Sequence, residues 1–378
     1  MTETAKETNT RLKIIHTESS CGWGGQEIRI LTEAQGMIER GHDVSIICPS
    51  HAPIYAEAKE RGIPVAHLPI AKKTLKGLLA TINYLKKTPV DVINTHSSTD
   101  SWMAALAKLF CWQNFAIVRT RHVSAPINNH FTTKWLYTKA AKHIVTTGIK
   151  LKETLVKDNG YPAHIITSVP TGIDTSIFKP EDKLLARKEL GLPQDKTIIG
   201  ILATLRSWKG HKYLVDAISQ IVKTQNRDNI HLLIVGGGPQ EEALKEQIKS
   251  AGIEEITTMP GNQKNPNKWL QAMDIFTLPS YANEGVPQGL MQAMLTNLPV
   301  ISTPVGSITE IIGHDKTGLI IQPENSNALA DAISSLLDSP EKAKQLAGVG
   351  YKFAVENFSK EIMVEKMEKI FIEAYDNR

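Results

Sequence analysis

No stretch of this 378-residue chain approaches the run of about 18 apolar residues that a membrane-spanning helix needs. The polar start Met1–Arg11 also lacks the apolar core of a secretory signal, so a cytoplasmic protein is expected. Cysteine is scarce. Cys21, Cys48 and Cys111 are odd in number and widely spaced, with no metal-ligand pattern, which argues against a disulfide framework or a zinc site and predicts buried thiols. There is no 20–50-residue repeat and no low-complexity tract, so solenoids and linker tails fall away. No concentrated basic stripe with interleaved aromatics appears, which removes nucleic acid from the expected partners. The net charge of +4 is too mild to point to any partner.

What is present is ordinary usage for a folded protein, 41% apolar and 22% charged residues. The length exceeds what one core usually supports, and domains commonly hold roughly 100–200 residues, so two domains are predicted. Short apolar runs alternate with helical patterns throughout, the signature of parallel sheets covered by helices on both faces. In the first half, Leu12–Thr17, Val44–Cys48, Val90–Thr95, Phe115–Thr120 and His143–Thr147 read as strands. Gln26–Glu39 reads as a helix with Ile28, Leu31, Ala34 and Ile38 on one face, ended by Gly41. Periodicity breaks at Thr167–Pro180, then restarts with strands at Lys196–Ala203, His231–Val235, Ile275–Pro279 and Leu298–Thr303. The predicted class is α/β, two Rossmann-like doubly wound domains at residues 1–168 and 169–358, with a helical segment over 359–378. Its apolar positions are Ile362, Val364, Met367, Ile370 and Phe371.

Ligands of open α/β sheets bind outside the carboxyl ends of the strands, so two such domains facing each other would share one cleft. Three clusters are predicted there. Gly22-Trp23-Gly24-Gly25 follows the first strand and opens the first helix, where Gly24 and Gly25 would let backbone N–H groups approach an anion. A tight strand-to-helix turn explains the same glycines. Arg206-Ser207-Trp208-Lys209-Gly210 brings two cations to a strand end, suited to a departing diphosphate, although exposed loop cations are common. Pro279 to Met294 is a strand end, a glycine-containing loop and a helix. Pro287 is predicted in the helix's first turn, which leaves the amides of Val286, Gln288 and Gly289 for phosphate. Glu284 and Gln292 lie eight residues apart, about 12 Å if helical throughout, the scale of a nucleotide sugar. An acidic residue stabilising a helix start is the plainer account of Glu284.

This last cluster resembles the donor motif of the family 4 glycosyltransferases, a glutamate, seven residues and a second glutamate; here it runs from Glu284 to Gln292, with an amide in the second place. Other landmarks follow in order: Pro170-Thr171-Gly172-Ile173-Asp174 with Phe178, Val235-Gly236-Gly237-Gly238-Pro239, and Ala272-Met273-Asp274-Ile275-Phe276. Thr171 stands where the family usually has asparagine, and Thr204 where it usually has arginine, while Lys209-Gly210 matches.

The resemblance implies a GT-B fold, a last helix that crosses back to the first domain, and a retaining hexosyltransferase that needs no metal or other cofactor. No D-x-D pair occurs in the cleft loops, in agreement. It further implies His122 near the reacting carbon, Glu284 on the sugar, and a donor, a UDP-sugar, held by Gly24, Gly25, Arg206, Lys209, Gly285, Val286, Gln288, Gly289 and Gln292. His96 is a second strand-end histidine. The implied acceptor is a glycan or glycolipid of the lipopolysaccharide or envelope type. Lys72, Lys73, Lys76, Lys86 and Lys87 flank Leu75, Leu78, Leu79, Ile82 and Leu85, a basic amphipathic helix suited to peripheral contact with the inner face of the cytoplasmic membrane. A solvated surface helix would show the same pattern. A nucleotide-sugar epimerase of this plan and a non-catalytic nucleotide-sugar binder are the rival readings.

Overall fold

A computed structural model describes residues 10–122, 127–225, 227–282 and 284–378 of the chain. Of the segments read above, Met1–Asn9 and Asn283 lie outside the described residues. The chain divides into two compact units. The described residues up to Gly172 join Lys360–Arg378 in the first, and Ile173–Ser359 form the second. The division thus falls at Gly172 rather than Ser168.

Among the described residues, the first unit carries one all-parallel sheet of seven strands. These are β1 (Lys13–Thr17), β2 (Asp43–Cys48), β3 (Val65–His67), β4 (Val92–Thr95), β5 (Ala116–Arg121), β6 (His143–Thr146) and β7 (Ile166–Ser168), in spatial order 3-2-1-4-5-6-7. The second holds β8 (Thr197–Leu202), β9 (Ile230–Val235), β10 (Thr257–Gly261), β11 (Ile275–Leu278), β12 (Val300–Ser302) and β13 (Leu319–Ile320), in order 10-9-8-11-12-13. Each sheet is doubly wound, and its strand order reverses beside its first strand, between β1 and β4 and between β8 and β11. Such switch points are where ligands of this architecture bind.

The nine strands read from the sequence all form, within one or two residues at each end. β3, β7, β10 and β13 were not foreseen. Each is a short outer strand with few fully buried side chains, so its apolar signal is weak. The break read at Thr167 therefore starts too early, because Thr167 and Ser168 still pair in β7. The thiols also need correction. Cys48 and Cys111 are buried, but Cys21 is exposed on the loop after β1, 3.1 Å from His51 Nε2.

A parallel sheet must be covered on both faces. In the first unit, one face is closed by the first helix (Gly25–Glu39) and the last helix (Lys360–Asp376), whose Met363, Val364, Met367, Ile370 and Phe371 are all buried. The two helices meet at Gly36, where an added Cβ would lie 2.3 Å from Val364 Cγ2. Arg40 and His42 also bind Glu368 there, at 2.5–2.9 Å.

Because valine cannot swing away from that contact, Gly36→Ala is expected to destabilise the protein by about 1–3 kcal/mol despite alanine's better helix propensity. Urea denaturation of Gly36→Ala, Val364→Ala and the double variant checks this: the second substitution should restore part of the loss, and simple additivity would refute the contact.

Candidate active site

The second unit gathers charge at its switch point. β8 runs into a loop that tightens to a 3-10 turn, Ser207–Lys209, before Gly210 starts the helix His211–Thr224. Gly210 has φ of 79°, and a Cβ there would sit 2.0 Å from Pro279 O, so only glycine lets the two loops lie this close. Tyr281 N donates to Trp208 O at 2.9 Å, tying the loop after β11 to the loop after β8. The result brings Lys209 Nζ to 2.7 and 3.0 Å from the two carboxylate oxygens of Glu284, and Ser280 Oγ donates to Oε1 at 2.5 Å. The Glu284 side chain is 3% exposed and that of Lys209 18%. Gly306, at φ of 62°, packs against Glu284 O, leaving no room for a Cβ.

The helix after this loop is Gln288–Leu295, and Pro287 is the residue before it rather than part of its first turn. Glu284 to Val286 are therefore not helical, and the span estimated for Glu284 to Gln292 as one helix does not apply. Gly289 sits where a Cβ would be 2.7 Å from Leu202 O, so the helix start abuts the end of β8. Gly285 and Val286 lie partly exposed between Glu284 and this helix, and Gln292 lies partly exposed one turn into it. Arg206 is exposed, its guanidinium 5.6 Å from the Trp208 ring, with no carboxylate partner among the described residues.

The first unit places Gly24 and Gly25 at the start of its first helix, as read from sequence. Two carboxylates crowd this turn: Glu18 accepts from Ser20 N at 2.6 Å and from Gln26 Nε2, and Glu27 accepts from Ser20 Oγ at 3.1 Å. His122 follows β5 and His96 follows β4. His96 Nδ1 lies 2.9 Å from His122 Nε2, and His96 Nε2 lies 3.0 Å from His16 Nδ1. Asp100 binds this end of the sheet together, accepting from Thr17 Oγ1, His96 N, Ser97 N and Ser101 N at 2.9–3.0 Å. His16, Glu18 and Asp100 were missed in the sequence. The available signal was a histidine inside the apolar strand Lys13-Ile14-Ile15-His16-Thr17.

Known proteins agree with this architecture. The family model "Glycosyltransferase Family 4" matches residues 23–177, and "Glycosyl transferases group 1" matches residues 182–353. The chain belongs to the family 4 glycosyltransferases. Its fold is of the GT-B type, two Rossmann-like domains. This glycosyltransferase is 24% identical to the UDP-Gal:alpha-D-GlcNAc-diphosphoundecaprenol alpha-1,3-galactosyltransferase of Escherichia coli, over 99% of this chain and all of that enzyme. It is 32% identical to the lipopolysaccharide core biosynthesis mannosyltransferase LpsB of Rhizobium meliloti, a match covering 52% of this chain and 59% of that enzyme. The crystal structure of Anabaena HepE in complex with UDP and glucose superposes with a TM-score of 0.81 at 18% identity, over 96% of this chain and all of that one.

The glycosyltransferase's first-unit site is electrostatically unusual. Burial, and then the charge of Arg29, holds His16 down to about 3. Burial also keeps His96 and His122 well below the ordinary imidazole value, so all three rings are neutral near pH 7. Burial, reinforced by Asp100, pushes Glu18 up to about 8.

The signs of the two linkages oppose each other. Unfolded histidines take up protons below about 6.5 that the folded rings refuse, so stability is lost as pH falls from there. Folded Glu18 keeps a proton that the unfolded chain has released above about 4.5, so its contribution is lost as pH rises toward 8. Thermal unfolding followed from pH 5 to 8.5 should show Glu18→Gln flattening the decline on the alkaline side and His16→Phe flattening the acid side. Profiles parallel to that of the wild type would contradict these assignments.

Proposed function

We propose that this glycosyltransferase moves a hexose from a UDP-sugar to a glycan or glycolipid acceptor with retention of configuration and without a metal ion. The observation that carries this reading is the Lys209–Glu284–Ser280 cluster beside a helix start at the second unit's switch point. A diphosphate is an anion with many acceptor oxygens, and the positive end of a helix beside a lysine suits it. An ammonium has three donors, of which two serve Glu284. The third can reach a phosphate oxygen, so Lys209 links the carboxylate that orients sugar hydroxyls to the group that leaves. Charge developing on the diphosphate as the glycosidic bond breaks is stabilised by Lys209, Arg206 and the amides of Gln288 and Gly289. Gly285 and Val286 line the approach, Gln292 hydrogen-bonds the ribose hydroxyls, and Gly24 and Gly25 are read as further donor contacts. The acceptor hydroxyl attacks on the face from which the diphosphate departs and gives its proton to a leaving phosphate oxygen. His122 borders the reacting carbon. A galactosyltransferase relative named for UDP-Gal and a HepE structure holding UDP and glucose support the choice of donor.

With UDP-, GDP- and ADP-sugars and a glycolipid extract, nucleoside diphosphate release should require UDP-sugar and acceptor together. Lys209→Ala should lower it by about 10²- to 10³-fold, the range for losing a preorganised donor to developing charge. NMR of the first-formed product should show the donor's anomeric configuration; inversion, or release insensitive to Lys209→Ala, would reject the reading.

Contact with a membrane surface belongs to the same proposal, since the relatives' acceptors include a diphosphoundecaprenol-linked sugar. The helix Leu75–Lys87 leaves Leu75 71% and Leu79 51% exposed, with Lys72, Lys73, Lys76, Lys86 and Lys87 around them. Gln113 donates to Leu85 O and to Thr88 O, joining this helix to a turn where Leu109, Phe110 and Trp112 are also exposed. Lysines around exposed leucine and tryptophan suit an anionic interface. Among the described residues no helix is long and apolar enough to cross a membrane. Vesicles rich in phosphatidylglycerol should sediment the protein at low salt and release it at high salt, and Leu79→Glu with Trp112→Glu should abolish this. Salt-insensitive or absent binding would remove the membrane from the reading.

A further inference from the structure

Three imidazoles run edge to edge in a line at the first unit's strand ends. The His16 and His96 ring centroids are 5.3 Å apart at an interplanar angle of 17°, and those of His96 and His122 are 5.2 Å apart at 34°. His16 is fully buried, His96 nearly so, and His122 partly exposed. A neutral imidazole carries one N–H and one lone pair. His96 uses both nitrogens on its neighbours, so it must donate to one and accept from the other. Both bonds therefore point the same way, and the three tautomers are set together. If protons point inward, His16 Nε2 carries the N–H at the blind end. If they point outward, His16 Nε2 is a bare lone pair and His122 carries its proton on Nδ1, its accessible nitrogen.

The blind end decides between them. His16 Nε2 is buried with no hydrogen-bond partner, and the His16 ring and that of Phe371 in the last helix lie at a centroid distance of 6.2 Å and an interplanar angle of 72°. Orphaned buried N–H groups are the rarer defect. The nearby Arg29 cation, which already depresses the His16 pKa, favours a lone pair over another N–H.

We propose that His16 and His96 are positioning residues that hold His122 as its Nδ1–H tautomer, so that it meets the substrate as a hydrogen-bond donor and not as a base. A second-layer partner sets which nitrogen of a functional histidine carries the proton, and here that partner is a chain of two further rings. The backbone of the middle ring is itself held, because His96 N donates to Asp100 Oδ2 at 2.9 Å. The proposal rests on the reading of His122 as the group beside the reacting sugar carbon.

Nitrogen-15 NMR of the full-length protein at neutral pH tests it. In the wild type, His122 should show a pyrrole-type Nδ1 and a pyridine-type Nε2, with the same pattern in His96 and His16. His16→Phe removes the blind-end ring and should give mixed His122 tautomers, with kcat lowered about tenfold, the scale for losing a group that orients a functional histidine. KM for the donor should stay near the wild-type value. A pyrrole-type Nε2 in wild-type His122 would overturn the proposal, and so would an unchanged His122 pattern in His16→Phe. If that variant does not fold, the wild-type spectrum alone decides the direction. Full turnover by His122→Ala would instead sink the role of His122 in the reaction, an outcome separable from the ring pattern.

Discussion

Both sheets run their strands parallel, and a parallel sheet is stable only when both of its faces are covered. That constraint organises each unit. Helices lie against both faces, so the sheet's own polar chemistry meets solvent at the strand ends and the loops beyond them. In the first unit the covering is completed by a helix from the far end of the chain, whose buried Val364 lies against Gly36. Arg29, from the helix beside it, is fully buried, donating to Val169 O at 2.6 Å and lying 3.5 Å from Glu33. The layer that closes the core thus also carries charges that act on the strand-end histidines.

The two switch points answer the problem of buried polarity in opposite ways. In the second unit, a buried carboxylate is met by a lysine and a serine hydroxyl aimed at it. In the first, the histidines stay uncharged, because burial and nearby arginines penalise protonation. One end is suited to meet an anion and the other to present neutral, directional hydrogen bonds.

Long central strands were legible because apolar runs of four to six residues announce themselves, as in Thr197–Leu202 or Asp43–Cys48. Outer strands of two or three residues such as Leu319–Ile320 were not, since pairing with a neighbour rather than apolar content makes them strands. Lys209 and Glu284 could be picked out separately, but nothing in the chain says that residues 75 positions apart lie within 2.7 Å of each other. Pro287 was placed one step too far into its helix because proline fits either side of a helix start.

The sequence by itself determined the α/β class, the two-unit plan and the family, because these depend on local periodicity and on short motifs. The tertiary structure decided which side chains act together: Lys209 with Glu284 and Ser280, and His16 with His96 and His122. Those partnerships join residues from different strand ends, brought together by strand order and by glycines that let backbones touch. Strand order and backbone contact are long-range properties that no local pattern encodes.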